Sequence, residues 1–347
     1  MKQLIARYLN YRKRRFITSR PTGQFAFVGM GNHSIYNLYP LLSHLRVGLK
    51  YIVTRSAGNA ALIDEHFPHS EGTTDLNRVL ADPVITGVFI STTPAAHFGL
   101  VKRALLAGKH VFVEKPPCLT LAELEELIAL EASAPGSCLV GFQKHYAPVN
   151  QRLRREVGGK PCGFNYRYVT GAYPEGDPVL DLFIHPLALL AFLFGEVTTQ
   201  QVLLRGNAAG RTIYLQTEHR GGAAGATELS TEYSWQSPHE SLVVNTAAAT
   251  YEQENTERLS RCPKPPTLLG IPSEKVLRRA PRTELLEDRN NFNPVLVNNQ
   301  LYTAGYYGEI RAFLDCCAGK KGNHSSLASL RGTYRVVEAL QSRLAEG

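Results

Sequence analysis

Three features are absent from the sequence, and each absence excludes a class of protein. Its 347 residues contain no apolar run of the roughly 18 residues that a membrane span requires. The first residues lack the apolar stretch and small-residue cleavage site of a secretory signal. The six cysteines show no C-x-x-C spacing, so we expect reduced thiols, no metal site and a cytoplasmic protein. What remains is a globular chain, 44% apolar and long enough to bury a core in each of two domains.

Acidic residues are absent from residues 1–23, which carry seven basic residues: Lys2, Arg7, Arg12, Lys13, Arg14, Arg15 and Arg20. They account for all but one of the net charges of the chain, which total +8. Because the rest of the chain is nearly neutral, we expect no nucleic-acid-binding surface on the fold.

Apolar residues recur at helical spacing in the same segment, at Leu4, Ile5, Tyr8, Leu9, Phe16 and Ile17. This pattern predicts a basic amphipathic helix over residues 1–20 that makes a peripheral contact with acidic lipid or a partner. A solvated extension, or a segment docked on the protein's own surface, is the simpler interpretation of one short cationic stretch. A cleaved organelle-targeting peptide is a further alternative.

A strand, a glycine turn and a helix come next. Residues 24–28 (QFAFV) have the apolar content of a buried parallel strand, and apolar residues recur at helical spacing over 35–45. Gly29 permits a tight turn, and Gly31 lets backbone N–H groups approach a pyrophosphate at the helix N-terminus. Ser34 replaces the third glycine or alanine of the motif. The residues of the turn predicted to bind a dinucleotide are Gly29, Gly31, Asn32, His33 and Ser34.

The second strand, residues 49–53, ends without the acidic residue that usually holds the ribose hydroxyls of NAD. Thr54, Arg55 and Ser56 follow it instead. A guanidinium beside two hydroxyls suits a 2′-phosphate, so we favour NADP over NAD. An Arg55 that stacks on the adenine or faces solvent would leave the choice open.

Two more strand–helix units, which start at residues 87 and 111, predict a doubly wound parallel sheet. In such sheets ligands bind beyond the carboxyl ends of the strands. The further residues expected in that crevice, and predicted to bind the cofactor, are Thr92, Thr93, Pro94, His97, Glu114 and Lys115.

Taken together, several segments resemble the Gfo/Idh/MocA oxidoreductases, named after glucose-fructose oxidoreductase, inositol dehydrogenase and a rhizopine catabolism protein. They are the glycine turn, residues 91–97 (STTPAAH), 107–116 (AGKHVFVEKP), 141–148 (GFQKHYAP), 180–185 (LDLFIH) with Gly195, and 307–314 (YGEIRAFL). The resemblance covers roughly residues 24–345. It implies a basic extension (1–22), a Rossmann dinucleotide-binding domain (23–145), and an α+β substrate and oligomerisation domain (146–347) with an open, mostly antiparallel sheet.

The resemblance also implies a chemistry, that of an NAD(P)-dependent dehydrogenase or reductase acting on CH–OH groups of a sugar, polyol or nucleotide-sugar. By analogy, Lys115 hydrogen-bonds the substrate oxygen, His185 takes its proton and Asp181 orients His185. Asp181 and His185 are four residues apart, so on a helix they share one face. The simpler alternatives are that Asp181 caps the helix over 182–194 and that His185 is a core histidine.

Two positions depart from the family. Phe183 stands where Gly is common, and Ala188 where an acid often follows the histidine, so we expect a narrower pocket or one polar contact fewer.

The second domain is predicted to contain strands at 162–170, 202–204, 211–218, 227–235 and 242–250, with loops over 252–300. The resemblance suggests that this sheet lines the substrate site and mediates a homo-oligomer, a dimer or tetramer. Candidate substrate-binding residues are Lys144, Arg167, Tyr168 and Tyr173.

Three other functions compete with a dehydrogenase. A cofactor- or sugar-sensing protein would keep the fold without turnover, although Lys115, Asp181 and His185 argue against it. A scaffold would use the basic segment for docking. A redox-assisted lyase or glycosidase would oxidise its substrate transiently, with no net change in the cofactor.

Overall fold

The computed structural model describes residues 1–18, 20–160, 162–173, 176–207, 210–277, 281–289 and 299–346. A helix, α1 (Lys2–Thr18), precedes two β-sheets and the helices packed on them. In the described part of the chain, no helix is long and apolar enough to cross a membrane.

The first sheet has six strands, all parallel. They are β1 (Gln24–Val28), β2 (Leu49–Val53), β3 (Glu71–Thr73), β4 (Ile85–Ile90), β5 (His110–Glu114) and β6 (Cys138–Gly141). Their order, β3-β2-β1-β4-β5-β6, reverses direction between β1 and β4, and a doubly wound sheet binds its ligand at that point. The predicted Rossmann sheet is confirmed.

Helices alternate with these strands, and local sequence signals account for several of their ends. They are α2 (Tyr39–His44), preceded by a π-helical turn (Ser34–Leu38), α3 (Ala57–His66), α4 (Leu76–Ala81), α5 (Pro94–Leu106) and α6 (Leu121–Ser133). Pro94 begins α5, where the missing N–H is not needed. Thr120 and Glu123 form a capping box at the start of α6.

A second, eight-stranded sheet follows. Its strands are β7 (Gly163–Val169), β8 (Val197–Asn207), β9 (Gly210–His219), β10 (Ala224–Ser230), β11 (His239–Asn245), β12 (Ala249–Glu254), β13 (Arg258–Pro263) and β16 (Glu284–Glu287). β14 (Thr267–Leu268) and β15 (Ile271–Pro272) form a separate ribbon. The order is β16-β13-β12-β11-β7-β10-β9-β8, and only the β7–β10 pair is parallel. The mostly antiparallel sheet predicted for this domain is confirmed.

The helical elements of the second half connect this sheet to the first. They are a 3₁₀ turn (Gln143–Tyr146), α7 (Pro148–Val157), a π-helical turn (Pro178–Phe183), α8 (Ile184–Phe194), α9 (Ser273–Leu277), α10 (Gln300–Thr303), α11 (Tyr306–Cys317), a 3₁₀ turn (Leu327–Leu330) and α12 (Arg331–Glu346). α8 is almost entirely buried, which explains why its sequence is apolar on all sides.

Two predictions about the second sheet were wrong. Residues 252–300 were expected to be loops, but they contain β16 at the sheet edge and β13 next to it, where Arg261 donates to Glu284 at 2.9 Å. Their exposed, charged side chains hide the apolar alternation of a strand. The single strand predicted over 242–250 is two strands, because the Thr246 hydroxyl accepts from the N–H groups of residues 248 and 249 and turns the chain. Residues 290–298 lie outside the described residues.

α11 packs on the first sheet, although it comes late in the chain. Phe313 contacts Phe89 edge-on, with 4.9 Å between ring centroids, and also contacts Phe25 and Phe112. The apolar face of α11 therefore completes the core beside the first sheet, although α11 lies in the part of the chain predicted as the second domain.

Candidate active site

The glycine turn lies where β1 and β4 end side by side. Gly29 has φ +120°, and a Cβ there would lie 1.9 Å from the Ser91 carbonyl oxygen, so only glycine lets the strand ends come this close. A Cβ on Gly31 would meet no atom within 4 Å. Gly31 therefore faces open space in the crevice, as the approach of a pyrophosphate requires.

The polar residues of the turn divide into exposed and buried ones. Asn32 is exposed and His33 partly so at the start of the helix, where anions are favoured by free N–H groups. Ser34 is fully buried, and its hydroxyl donates to the Ser91 hydroxyl at 2.9 Å. Ser34 was predicted to bind the cofactor directly, but the structure places it behind the turn, where it fastens the turn to the end of β4.

The three residues after β2 also differ in their surroundings. Thr54 is buried and donates to the Ser56 carbonyl at 3.0 Å, while the Ser56 hydroxyl caps α3 by accepting from the Asn59 N–H. Arg55 is exposed beside them. The turn and this loop together offer an open glycine, helix N–H groups and one accessible guanidinium, which fit a dinucleotide phosphate.

His97 was predicted to bind the cofactor, but it is buried and bridges two loops instead. Its Nδ1 lies 2.7 Å from the Pro116 carbonyl oxygen, and its Nε2 lies 3.4 Å from the Thr92 nitrogen. Burial lowers the pKa of His97, so the neutral ring donates through Nδ1 and accepts at Nε2. Thr93 caps α5 with its backbone and Pro94 follows, so His97 fixes both strand-end loops against each other.

Glu114 lies at the end of β5, buried beside the glycine turn. Its Oε1 is 3.1 Å from His33 Nε2, and the Asn37 amide lies 3.1 Å from the other nitrogen of His33. Burial opposes a charge on His33, but the hydrogen bond and charge of Glu114 outweigh it and raise the pKa of His33. Glu114 thus joins the strand end to the helix that follows the turn.

Lys115 is where the two domains meet. Its ammonium donates to the Asp181 carbonyl oxygen at 2.5 Å. Burial lowers the pKa of Lys115, and the charges of Glu114 and Asp181 partly oppose this shift. An ammonium has three donors, so this bond leaves others for a ligand.

Asp181 acts differently from its predicted role of orienting His185. Its Oδ2 accepts from the Asp177 N–H at 3.1 Å, and Asp177 caps the π-helical turn by accepting from Val179. Burial raises the pKa of Asp181, while Lys115 lowers it in part. The carboxylate is therefore a local cap, close to the simpler alternative, although Asp177 rather than Asp181 is the N-cap residue. Tyr173 lies beside this loop.

His185 stands one residue into α8, edge-on to Phe142 with 5.8 Å between ring centroids. Its Nδ1 is buried and has no hydrogen-bond partner among the described residues. Burial lowers the pKa of His185 well below its ordinary value, and the positive charges of Lys115 and Lys144 lower it further. The ring is therefore neutral at pH 7 and able to accept a proton.

Lys144 sits in the same crevice, in a buried polar network that sequence reasoning missed. Its ammonium lies 2.6 Å from Glu240 and 4.7 Å from the centre of the Tyr168 ring. Tyr166 and Thr256 also donate to Glu240, at 2.7 and 2.9 Å. Burial would raise the pKa of Glu240, but Lys144 and these hydrogen bonds lower it overall. No sequence signal marks Glu240, because its partners come from distant segments.

Arg167 is separated from the other substrate candidates. It alternates with Tyr166 and Tyr168 along β7 and so points to the opposite face of the sheet. There it donates to Glu228 at 2.8 Å and contacts Tyr233. Of the four predicted substrate residues, the structure brings Lys144 and Tyr168 to the crevice beside His185 and Tyr173 to the Asp181 loop.

The two positions at which the sequence departs from the family do not line the crevice. Phe183 and Ala188 are both buried in the core.

Glu309 on α11 is fully buried, and neither of its carboxylate oxygens has a hydrogen-bond partner within the described ranges. Burial and the charge of Glu114 raise the pKa of Glu309 well above its ordinary value. An acid directly before the apolar Ile310, in the helix that carries Phe313, was the sequence signal that could have identified it.

Comparison with known proteins identifies the nucleotide domain. Residues 24–142 match the model of the Gfo/Idh/MocA family, described as an oxidoreductase family with an NAD-binding Rossmann fold. D-xylose dehydrogenase of Paenarthrobacter nicotinovorans is 34% identical over 106 residues, which cover 30% of this chain and 27% of that protein. scyllo-Inositol 2-dehydrogenase (NAD(+)) of Bacillus subtilis is 27% identical over 188 residues, 50% of this chain and 55% of that protein. Across three of the curated relatives, the chain spans 27–41% of their length.

Solved structures share the fold of nearly the whole chain. A dehydrogenase from Chromobacterium violaceum superimposes with a TM-score of 0.76 at 19% identity, covering 93% of this chain and 97% of its own. UDP-N-acetylglucosamine 3-dehydrogenase from Acidithiobacillus ferrooxidans gives 0.73 at 19% identity with the same coverage, 93% and 97%. The resemblance found in the sequence is confirmed over residues 24–142, which match the model of the Gfo/Idh/MocA oxidoreductase family.

Proposed function

We propose that the protein is an NAD(P)-dependent oxidoreductase that transfers a hydride between a nicotinamide and a hydroxyl or carbonyl carbon of a sugar, polyol or nucleotide-sugar. The observation that carries this proposal is that Lys115, held by the Asp181 carbonyl oxygen at 2.5 Å, lies close enough to the His185 ring for its charge to act on that ring. Relatives described as xylose, inositol and nucleotide-sugar dehydrogenases support the substrate class.

Each residue has a separate task in this proposal. A nicotinamide cofactor, when bound, would supply or accept the hydride. Gly29, Gly31 and the helix N–H groups hold the pyrophosphate. The Lys115 ammonium, positioned by the Asp181 carbonyl, hydrogen-bonds the substrate oxygen and stabilises negative charge that develops on it. The neutral His185 ring accepts the hydroxyl proton during oxidation and returns it during reduction.

Asp181 acts through the backbone in this scheme. Its carboxylate accepts from the Asp177 N–H and so fixes the π-helical turn. The fixed turn places the Asp181 carbonyl oxygen where Lys115 donates to it. Asp181 is thus a positioning residue for Lys115, rather than the partner of His185 that the resemblance implied.

NADP is the cofactor we favour within this proposal. Arg55 is exposed at the end of β2, and the hydroxyls of Thr54 and Ser56 are both engaged with neighbouring backbone. The guanidinium is therefore the group best placed to pair with a 2′-phosphate.

Assembly into a homo-oligomer is also part of this proposal. The face of the second sheet that carries Arg167 exposes Leu203 and Tyr214, which are 63% and 40% accessible. Leu203→Asp should lower the molar mass in solution to that of one chain, whereas an unchanged mass would count against this face.

The activity is tested by purifying the protein, identifying any co-purified nucleotide, and screening sugars, polyols and nucleotide-sugars with NADP⁺ and NAD⁺. We expect reduced nicotinamide to accumulate with one substrate class and to disappear with Lys115→Ala. Lys102→Ala, which removes a surface lysine of α5 paired with Glu126, is the matched control and should retain activity. Substrate cleavage without net change of the nicotinamide would instead indicate a redox-assisted lyase or glycosidase.

A further inference from the structure

α1 stands apart from the rest of the molecule and leaves its apolar residues uncovered. Every residue of α1 whose side chain the structure describes is exposed. Its large apolar side chains are 48–69% accessible: Leu4, Ile5, Tyr8, Leu9, Tyr11 and Ile17. The helix is attached to the nucleotide domain at its end, where Arg46 donates to the Ile17 carbonyl oxygen. The proposed dehydrogenase activity uses none of these residues.

The helix separates apolar from polar side chains along its first three turns. At 3.6 residues per turn, Leu4, Tyr8 and Tyr11 stack on one side, with Ile5 and Leu9 beside them. Asn10 lies opposite them, and Lys2 and Arg7 lie at the two edges of this apolar face. The basic run Arg12, Lys13, Arg14 and Arg15 follows in the last turns. The described helix is therefore amphipathic and ends in concentrated positive charge.

The charge of α1 determines what its apolar face can meet. Six of its residues are basic and none is acidic, whereas the chain as a whole has a net charge of +8. The body of the protein is thus nearly neutral, and an anionic surface attracts mainly this helix. A second copy of α1 would be repelled by the same six charges.

An anionic lipid surface can bind the apolar and the basic side chains of α1 at the same time. Tyr rings and the stems of Arg and Lys place apolar atoms in the acyl boundary while their polar ends stay among the headgroups. An acidic protein would need a groove matched to this one helix, whereas a flat anionic interface requires only amphipathicity and charge.

We propose that α1 docks the protein on an anionic membrane surface, lying parallel to it with Leu4, Tyr8 and their neighbours in the interface. The inference does not depend on the proposed dehydrogenase function, because none of the crevice residues lies on α1.

The test is co-sedimentation of the full-length protein with phosphatidylcholine vesicles and with vesicles of equal phosphatidylserine and phosphatidylcholine. We expect binding to the anionic vesicles only, weakened by added salt. Each basic residue near such a surface strengthens binding about fivefold. Replacing Arg12, Lys13, Arg14 and Arg15 by Gln should therefore weaken binding by about 100-fold or more.

A matched control removes the same number of charges outside the helix, at the exposed residues Arg155, Lys160, Arg258 and Lys321, each changed to Gln. This variant should bind within about twofold of the wild type, since only charges near the surface count. Leu4→Gln with Tyr8→Gln tests the apolar face and should weaken binding with all charges kept. Unchanged circular dichroism would show that each variant is folded.

Several results would overturn the proposal. They are equal binding to both vesicle types, no binding to either, loss in the body control as large as in the helix variant, and full binding by the Leu4 and Tyr8 variant. Binding to RNA or polyglutamate without binding to anionic vesicles would show that α1 serves another kind of anion.

Discussion

The histidines of the two halves of the crevice differ in how completely they are paired. On the nucleotide side, His33 meets Glu114, Ser34 meets Ser91, and His97 joins two strand-end loops. On the other side, the buried His185 Nδ1 has no partner among the residues that the structure describes. The first half is organised before any ligand arrives, whereas the second retains a neutral base with unused hydrogen-bonding capacity. The difference is what we expect if the cofactor meets a preformed cradle and the substrate completes the pairing.

The largest effects should come from removing the two groups that the proposed mechanism places against the substrate. We expect Lys115→Ala and His185→Ala each to lower kcat by about 10²–10⁴-fold, the usual range for an acid–base group. Cofactor affinity, measured by fluorescence titration, should stay within about twofold, because the glycine turn holds the nucleotide. Near-normal turnover in both variants would contradict the mechanism.

The two glycines of the turn should respond differently to a methyl group. Gly29→Ala forces a side chain against the Ser91 carbonyl at positive φ and should cost about 2 kcal/mol or more of folding free energy. Gly31→Ala has free space, so its thermal unfolding should be unchanged while cofactor affinity falls. Equal stability of the two variants, or full cofactor affinity in Gly31→Ala, would show that the cradle is not preformed.

The first sheet could be predicted from sequence because its signals are local. The strand, glycine turn and helix from Gln24 onward are contiguous, and so is the strand that ends at Glu114. β16 could not be predicted in this way, because an edge strand exposed to water needs no apolar alternation. β13 beside it has only one buried residue, Leu259, and so shows no alternation either. The packing of Phe313 on the first sheet depends on tertiary contacts across more than half the chain.

The sequence indicated which residues lie near the crevice, but not which contacts each of them makes there. Lys115, His33 and Glu114 lie together at the crevice, yet Ser34 and His97 are buried supports, which only their burial reveals. Asp181 departs from its expected role because the chain enters α8 through a π-helical turn that no sequence periodicity marked.

Glu309 is a buried acid of α11 near Glu114, on the nucleotide side of the crevice. The charge of Glu114 from β5 acts on Glu309, and Glu309 in turn acts on Tyr306 of the same helix and on Tyr146 of the 3₁₀ turn. Burial raises the pKa of Glu309, so the native state keeps a proton that the unfolded state releases. Wild-type stability should therefore fall as pH rises above the unfolded pKa, by about 1.4 kcal/mol per pH unit until the native carboxyl titrates.

Glu309→Gln removes that proton equilibrium and should abolish this part of the slope. Urea unfolding of both proteins between about pH 5 and pH 8 measures it, with the variant gaining on the wild type as pH rises. A constant difference across this range would mean that Glu309 is ionised in the folded protein and has an unseen partner.

The smallest effect should come from Arg55, which lies exposed on the nucleotide side of the crevice. Arg55→Asp replaces a guanidinium by the carboxylate that NAD-binding turns usually carry. We expect the ratio of NADPH to NADH affinity to fall by about tenfold or more, since a charge-assisted phosphate contact is lost and a repulsive charge is added. Because Arg55 is exposed, stability should not change, which separates this substitution from Gly29→Ala. An unchanged ratio would assign Arg55 to adenine stacking or to solvent, and the nucleotide half would then be preorganised for the pyrophosphate alone.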